Sequence, residues 1–427
     1  MQKLTHISYG AINEELYYGK LKSGLQVYII PKAGYNEKSA MLTVNFGSLD
    51  SQYTSRGRLI SNPEGVAHFL EHKLFEDKSG GDVSLKFTSL GAEVNAFTTF
   101  DKTSYFFSTT DHFLESLNLL QDFVMTASFT EESVNKEKKI IGQEIDMYLD
   151  DPEYQSYIGA LQNLFPGSNL AADIAGSRKS IDMITGDVLR RNYKQFYHPS
   201  NMALLIVGEV DVEETFQSVL QCQENHKSRR PARAKIEPLP YLPLIKSGSI
   251  AMDISTSKLV VAYRGVKFDN DFSFLEYKIC LKFLLSMLFG WTSKTYQDWY
   301  GDGKVDESFD IEIEIQKDYS FVLISLDSSQ PIAMSSQIRK KIEQFTKAKD
   351  INNEHLTLLK KEMYGDFLQS LDSVEQVCNQ FNHFLSDGEN YFDIPEIIAK
   401  VTLEEILAVG ENFFGRAEVS DFTVFPK

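Results

Sequence analysis

His68-Phe69-Leu70-Glu71-His72 is a string whose residue types and spacing suggest a reaction. The two histidines are four positions apart, so on a helix they share a face and bring two imidazole nitrogens to one point. Glu71 directly precedes His72 and leans to the same side. Zinc-dependent hydrolysis needs this set: neutral nitrogen ligands, an open coordination position, and a carboxylate to take a proton from metal-bound water. The order H-x-x-E-H inverts the H-E-x-x-H pattern of many metalloproteases. The plainer alternative is a helix with two surface histidines and no metal. Val66, Phe69, Leu70, Leu74 and Phe75 count against it, because they bury the helix and leave little water for an unmatched polar face.

Two nitrogens do not complete a zinc site. A helix expected over 130–149, with Thr130 as N-cap and Glu131 and Glu132 at its positive end, offers Glu131, Glu132, Glu137, Glu144 and Asp146. Glu137 and Glu144 lie on one face, about 10 Å apart along the axis. One can ligate and the other stand behind it; spacing alone does not choose between them.

The elements that must hold these residues read as α+β. Strands are expected at 25–31 and 40–47, as neighbours, then a loop to about Pro63, the histidine helix, and strands at 92–99 and 103–109. Helices follow at 111–126, 130–149, in the 150s and in the 180s, and MALLIVGEV (202–210) is an apolar strand. Four prolines and the basic run KSRRPARAK mark 221–247 as a linker, so the expected division is 1–220, linker, 248–427. The second part repeats the element order of the first: strands near 250–255 and 258–264, a helix over 272–289, strands at 309–316 and 319–327, helices from 331, and a closing strand DFTVFP. Two similar domains, each a mixed, mainly antiparallel sheet packed against helices, are the simplest account.

Composition bounds the function. The 427 residues carry 43 Lys+Arg against 60 Asp+Glu, a formal charge of −17, which argues against nucleic acid as a partner. Cys222, Cys280 and Cys378 are too sparse for a disulfide framework or a thiolate metal site and read as buried small residues in a reducing compartment. The N-terminus lacks a signal-peptide core, and no apolar run approaches the ~18 residues of a membrane span, so the expectation is a cytoplasmic chain without a membrane partner.

Four stretches together resemble the pitrilysin/insulinase (M16) family of zinc metallopeptidases: GVAHFLEHKLFE (65–76), GAEVNAFTTFDKTSYFF (91–107), EKKIIGQEI (137–145) and FYHPSNMALLIVGEVD (196–211). The resemblance is dense over about 25–215 and continues beyond 248 as length and element order. It points in particular to two-domain Gram-positive members that accompany a motif-less M16 paralogue. It implies a zinc endopeptidase with His68, His72 and Glu144 as ligands, Glu71 as general base, and Glu137 as a supporting carboxylate counted with the catalytic residues. It further implies that Asn95, Ala96 and Phe97 lie on a sheet edge that binds the substrate backbone by β-augmentation. Four such domains would enclose a chamber for peptides or small unfolded proteins, supplied by two chains of this length.

One departure bears on partnership. Family C-terminal domains often carry an Arg and a Tyr that approach the substrate carbonyl. The corresponding stretch here, SKTYQDWYGDGKVDESFD (293–310), has Tyr296 and Tyr300 but no arginine. The expected assembly is therefore a heterodimer with the motif-less paralogue, a homodimer being the other arrangement. A non-catalytic assembly subunit is the alternative function, and a slow peptide-binding protein a third. DGKVDE (302–307) lacks calcium-loop spacing and reads as a turn. His198, before Pro199, also reads as part of a turn, and His6, His112, His226, His355 and His383 as polar residues without a ligand-spaced partner.

Overall fold

The apolar run at 202–208 decides how the first sheet is ordered. In the computed structural model, which describes residues 3–226, 230–267, 272–385 and 389–427, the strands of the first half are β1 (Thr5–Tyr9), β2 (Glu14–Lys20), β3 (Gln26–Pro31), β4 (Lys38–Val44), β5 (Gln52–Ser55), β6 (Arg58–Ser61), β7 (Ala92–Thr98), β8 (Thr103–Thr109) and β9 (Met202–Gly208). Seven form one sheet in the order β1-β2-β3-β9-β4-β8-β7. β9 runs parallel to β3 and antiparallel to β4; the remaining pairs are antiparallel. The expectation that β3 and β4 are neighbours is therefore corrected. β9 is buried along nearly its whole length, and a strand apolar on both faces belongs in a sheet centre.

The stretch before Pro63, expected as loop, contains β5 and β6. They form a small sheet with β10 (Lys235–Ile236) in the order β10-β5-β6. Tyr53 is fully buried there, and Asn62 Nδ2 donates to Asn192 Oδ1 at 3.0 Å. Helix Val212–Asn225 continues into the expected linker, which also holds β10. The first three residues of the basic run, Lys227, Ser228 and Arg229, lie outside the described residues.

Helices α1 (Val66–Leu74), α2 (Val83–Ser89), α3 (Phe113–Val124) and α4 (Glu131–Leu149) close over the first sheet. Their apolar faces share one core with it, including Leu42, Phe46, Phe69, Leu70, Tyr105, Phe107 and Leu117. Thr130 caps α4 as expected: its Oγ1 accepts from Ser133 N at 3.2 Å.

The second sheet is built from β11 (Ser247–Met252), β12 (Ser257–Arg264), β13 (Asp310–Ile315), β14 (Ser320–Ser328) and β15 (Glu418–Pro426), in the order β11-β15-β12-β14-β13. β11 and β15 are parallel and the other pairs antiparallel, so both sheets are mixed and mainly antiparallel. Helix Phe274–Phe289 is buried on most sides, and Ser273 with Glu276 forms its capping box. Arg264, 1% exposed, pairs with Glu418 and donates to the carbonyls of Leu164 and Leu242 at 2.7 and 2.8 Å.

The residues group into two compact units, each made from three stretches of chain. One contains Met1–Ile145, Asp173–Glu237 and Leu368–Phe392; the other contains Asp146–Ala172, Pro238–Phe367 and Asp393–Lys427. α5 (Pro152–Leu164) belongs to the second because it packs on β12 and β15, where Gly159 leaves room for the Phe422 ring. Helix Val374–Phe384 belongs to the first, packing on β4 and β9, with Thr43 Oγ1 donating to Asn382 Oδ1 at 2.9 Å. Among the described residues no helix is long and apolar enough to cross a membrane.

Candidate metal centre

α1 starts abruptly. Gly65 has φ +85°, and a Cβ there would lie 2.4 Å from the Ala175 carbonyl oxygen, so glycine is required both by its conformation and by the close approach. The first helical bond follows at once, from Phe69 N to Gly65 O at 2.8 Å. Val66, Ala67, Phe69, Leu70 and Leu74 are all 2% exposed or less. That burial clamps the helix and sets the rotation of its polar residues.

His68 is 9% exposed and Glu71 8%. The rings of His68 and His72 are 4.6 Å apart, centre to centre. α4 brings Glu144 to both of them: Oε1 is 3.6 Å from His68 Nε2, and Oε2 is 3.4 Å from His72 Nε2. One donor atom from each of the three residues lies within 4.8 Å of the other two. Glu137, two turns earlier on α4, sits elsewhere, with Oε1 3.1 Å from His72 Nδ1. The structure thus separates the two carboxylates that spacing left alike: Glu144 lies near both Nε2 atoms, and Glu137 stands behind His72.

Two imidazole nitrogens and one carboxylate suit a borderline cation such as zinc, and three protein donors leave a further position open. A carboxylate on the far nitrogen of a ligating histidine is the usual companion of such a site, because it fixes the tautomer and raises basicity. Charge agrees with chemistry. Burial opposes a proton on His72, but hydrogen bonds to Glu137 and Glu144 and the charge of Glu71 outweigh it and raise the pKa to about 10. The three carboxylates around His72 thus favour positive charge at this place.

Glu71 has a partner that sequence reasoning missed. Its Oε2 accepts a 2.5 Å hydrogen bond from Thr98 Oγ1, at the end of β7. No spacing rule links positions 71 and 98; the contact exists because α1 packs on β7. Beside it lies a cleft of about 440 Å³ lined by Glu71, His72, Val94, Asn95, Lys136 and Glu137, among others.

β7 is the last strand of its sheet. Asn95 is exposed and lines the cleft, and its Oδ1 accepts from Ala96 N at 2.8 Å. Ala96 is half-buried against the core, and the Phe97 ring packs on Phe106 at 6.1 Å. Stretch 293–310 holds helix Lys294–Gly301, on which Tyr296 and Tyr300 stack at 6.0 Å.

His198 is structural, its Nδ1 accepting from Ser200 N at 3.1 Å in the turn after it. One expectation is corrected. His226, the C-cap residue of helix Val212–Asn225, does have a ligand-spaced neighbour, Cys222, four residues earlier in that helix, and both meet Asp122 of α3. That spacing was readable; the meeting with Asp122 was not.

Comparison with known proteins gives the family. Residues 37–171 match the model for insulinase (peptidase family M16), and residues 183–363 that for the M16 inactive domain. The chain is 35% identical to the zinc protease YmfH of Bacillus subtilis, covering 99% of each protein. Among solved structures it is similar to an M16-like peptidase from Alicyclobacillus acidocaldarius, with TM-score 0.91 and 29% identity over 97% of this chain and 99% of that one. A Helicobacter pylori protease shares the fold at TM-score 0.81 and 19% identity, over 97% of this chain and 100% of the other. With a zinc-protease relative matched from end to end, this chain belongs to the M16 (insulinase) family of zinc proteases.

Proposed function

We propose that the chain is a zinc-dependent endopeptidase that cleaves peptides or small unfolded proteins inside a chamber completed by a second chain. The observation that carries this reading is the meeting of Glu144 with the Nε2 atoms of His68 and His72, with Glu71 buried alongside. His68, His72 and Glu144 would hold the metal. When bound, zinc supplies Lewis acidity toward the scissile carbonyl and acidifies water at neutral pH.

The remaining work falls to side chains. Glu71 is the general base, taking the proton of the attacking water and passing it to the leaving amine. Thr98 occupies its Oε2, which leaves Oε1 for the proton and fixes the carboxylate plane. Glu137 accepts from His72 Nδ1 and so keeps Nε2 turned toward Glu144. The free edge of β7 at Asn95, Ala96 and Phe97 would take an extended peptide by main-chain hydrogen bonds, so preference for sequence would come from side-chain pockets.

The partner is proposed to be a motif-less M16 paralogue, because stretch 293–310 of this chain contains no arginine. The test of the core reading is metal analysis of the purified chain with cleavage of an unstructured peptide, with and without its partner. About one zinc per chain at the histidine site, and cleavage abolished by a chelator and restored by zinc, are expected. Chelator-insensitive cleavage would overturn the reading.

A further inference from the structure

Outside the histidine helix, α3 and helix Val212–Asn225 pack along a polar seam. Ser218 Oγ meets Asn118 Oδ1 at 3.2 Å, and one turn further on Cys222 meets Asp122. At the end of the seam His226 joins them. Its Nε2 lies 2.6 Å from Asp122 Oδ1, and Cys222 Sγ lies 3.5 Å from the same oxygen. One donor atom from each of the three residues is within 4.8 Å of the other two. Cys222 is 6% exposed, whereas the Asp122 side chain is 57% exposed, so the cluster has a buried sulfur floor and an open carboxylate rim.

The chemistry of the three groups is complementary in an informative way. A His–Asp pair needs no third member, and a thiol is a poor hydrogen-bond donor to a carboxylate. Cys222 in the last turn of one helix and His226 at its C-cap, with a carboxylate from the facing helix, instead present soft, borderline and hard donors to one point. We propose that Asp122, Cys222 and His226 form a second metal site, which takes zinc or a similar borderline divalent cation and clips α3 to the helix before the basic segment. Binding would exchange the thiol proton for the cation, releasing that proton to solvent, and would open the short His226–Asp122 contact to admit the ion. The exposed rim leaves a coordination position for water. The site uses no residue of the peptidase centre, so it stands or falls separately from that reading.

Cobalt(II) distinguishes the two sites, because only this one offers a thiolate. The full chain carrying His68→Ala and His72→Ala, which lacks two donors of the first site, is titrated with cobalt and followed by absorbance. We expect about one equivalent to bind with a near-ultraviolet thiolate-to-cobalt charge-transfer band. Adding Cys222→Ala should remove the band. Adding Asp122→Asn, at the exposed rim, or His226→Gln, which keeps a polar group of similar size, should weaken cobalt binding by ~10-fold or more. Circular dichroism checks that each variant is folded. No thiolate band in the folded chain overturns the proposal. So does a band that persists unchanged in all three added variants, because the sulfur would then come from Cys280 or Cys378.

Discussion

Glu71, Glu137 and Glu144 surround His72, and their neighbours give them separate tasks. Glu71→Gln keeps the shape and the hydrogen bond from Thr98 but removes the base. The variant should fold, retain zinc and lose activity by at least ~10²-fold; near-parental turnover in metal-loaded protein would contradict the assigned role. Glu144→Gln removes a charged donor from the meeting point and should strip most of the metal. Glu137→Gln leaves all three donors in place and should weaken zinc binding by about 10–100-fold. Zinc titrations of the two variants compare them directly, and the reverse order would exchange their roles. Asp50 supplies a pH prediction. Burial, together with the charge of Asp101 and against a hydrogen bond from Gly47 N, raises its pKa from 3.8 to about 7. The folded state therefore holds this proton more tightly than the unfolded chain. Its contribution is full below pH 3.8 and is lost as pH rises through about 7. Asp50→Asn should flatten that part of the stability profile in denaturant titrations and leave the chain more stable than the parent at pH 8.

Elements matter here by what they bring to one place. α1 is held by its apolar side and by the left-handed Gly65, so its polar residues have one orientation. α4 is anchored at its start by Thr130 and carries Glu137 and Glu144 past α1 at fixed heights. β7 contributes both an edge and Thr98. Replacing Ala96 with proline deletes the N–H now held by Asn95 and restricts Asn95 before it. Peptide affinity should fall while zinc content is retained. Fluorescence anisotropy of a labelled peptide, in a Glu71→Gln background to prevent turnover, measures this. Unchanged affinity would move the substrate away from β7.

At the scale of the whole molecule the proposal concerns partnership. Under the proposed reading, a second copy of this chain would again lack the arginine absent from 293–310, whereas a motif-less paralogue would supply it. Separately purified chains should therefore be weak or inactive alone. Their mixture should cleave an unstructured peptide at least ~10-fold faster than this chain, equivalent to about 1.4 kcal/mol of transition-state stabilisation. Full activity of this chain as a dilute monomer would rule out a shared site.

The grouping of His68, Glu71 and His72 in the candidate centre was legible because helical spacing is local: they lie within little more than one turn, and a helix converts that spacing directly into a common face. The two-domain α+β plan was legible for a similar reason, since strand and helix periods show in short windows. Long-range partners left no such mark. β9 separates β3 from β4 because burial on both faces favours a central strand, although β9 is far along the chain. Glu144 meets Nε2 of both histidines while Glu137 meets Nδ1 of His72, a difference that comes from packing between helices distant in sequence and that no spacing encodes. Thr98 reaches Glu71, and Asp122 reaches Cys222 and His226, through packing of elements distant in sequence. Local periodicity thus named the chemistry and most of the elements, while the burial of apolar faces chose which of them meet.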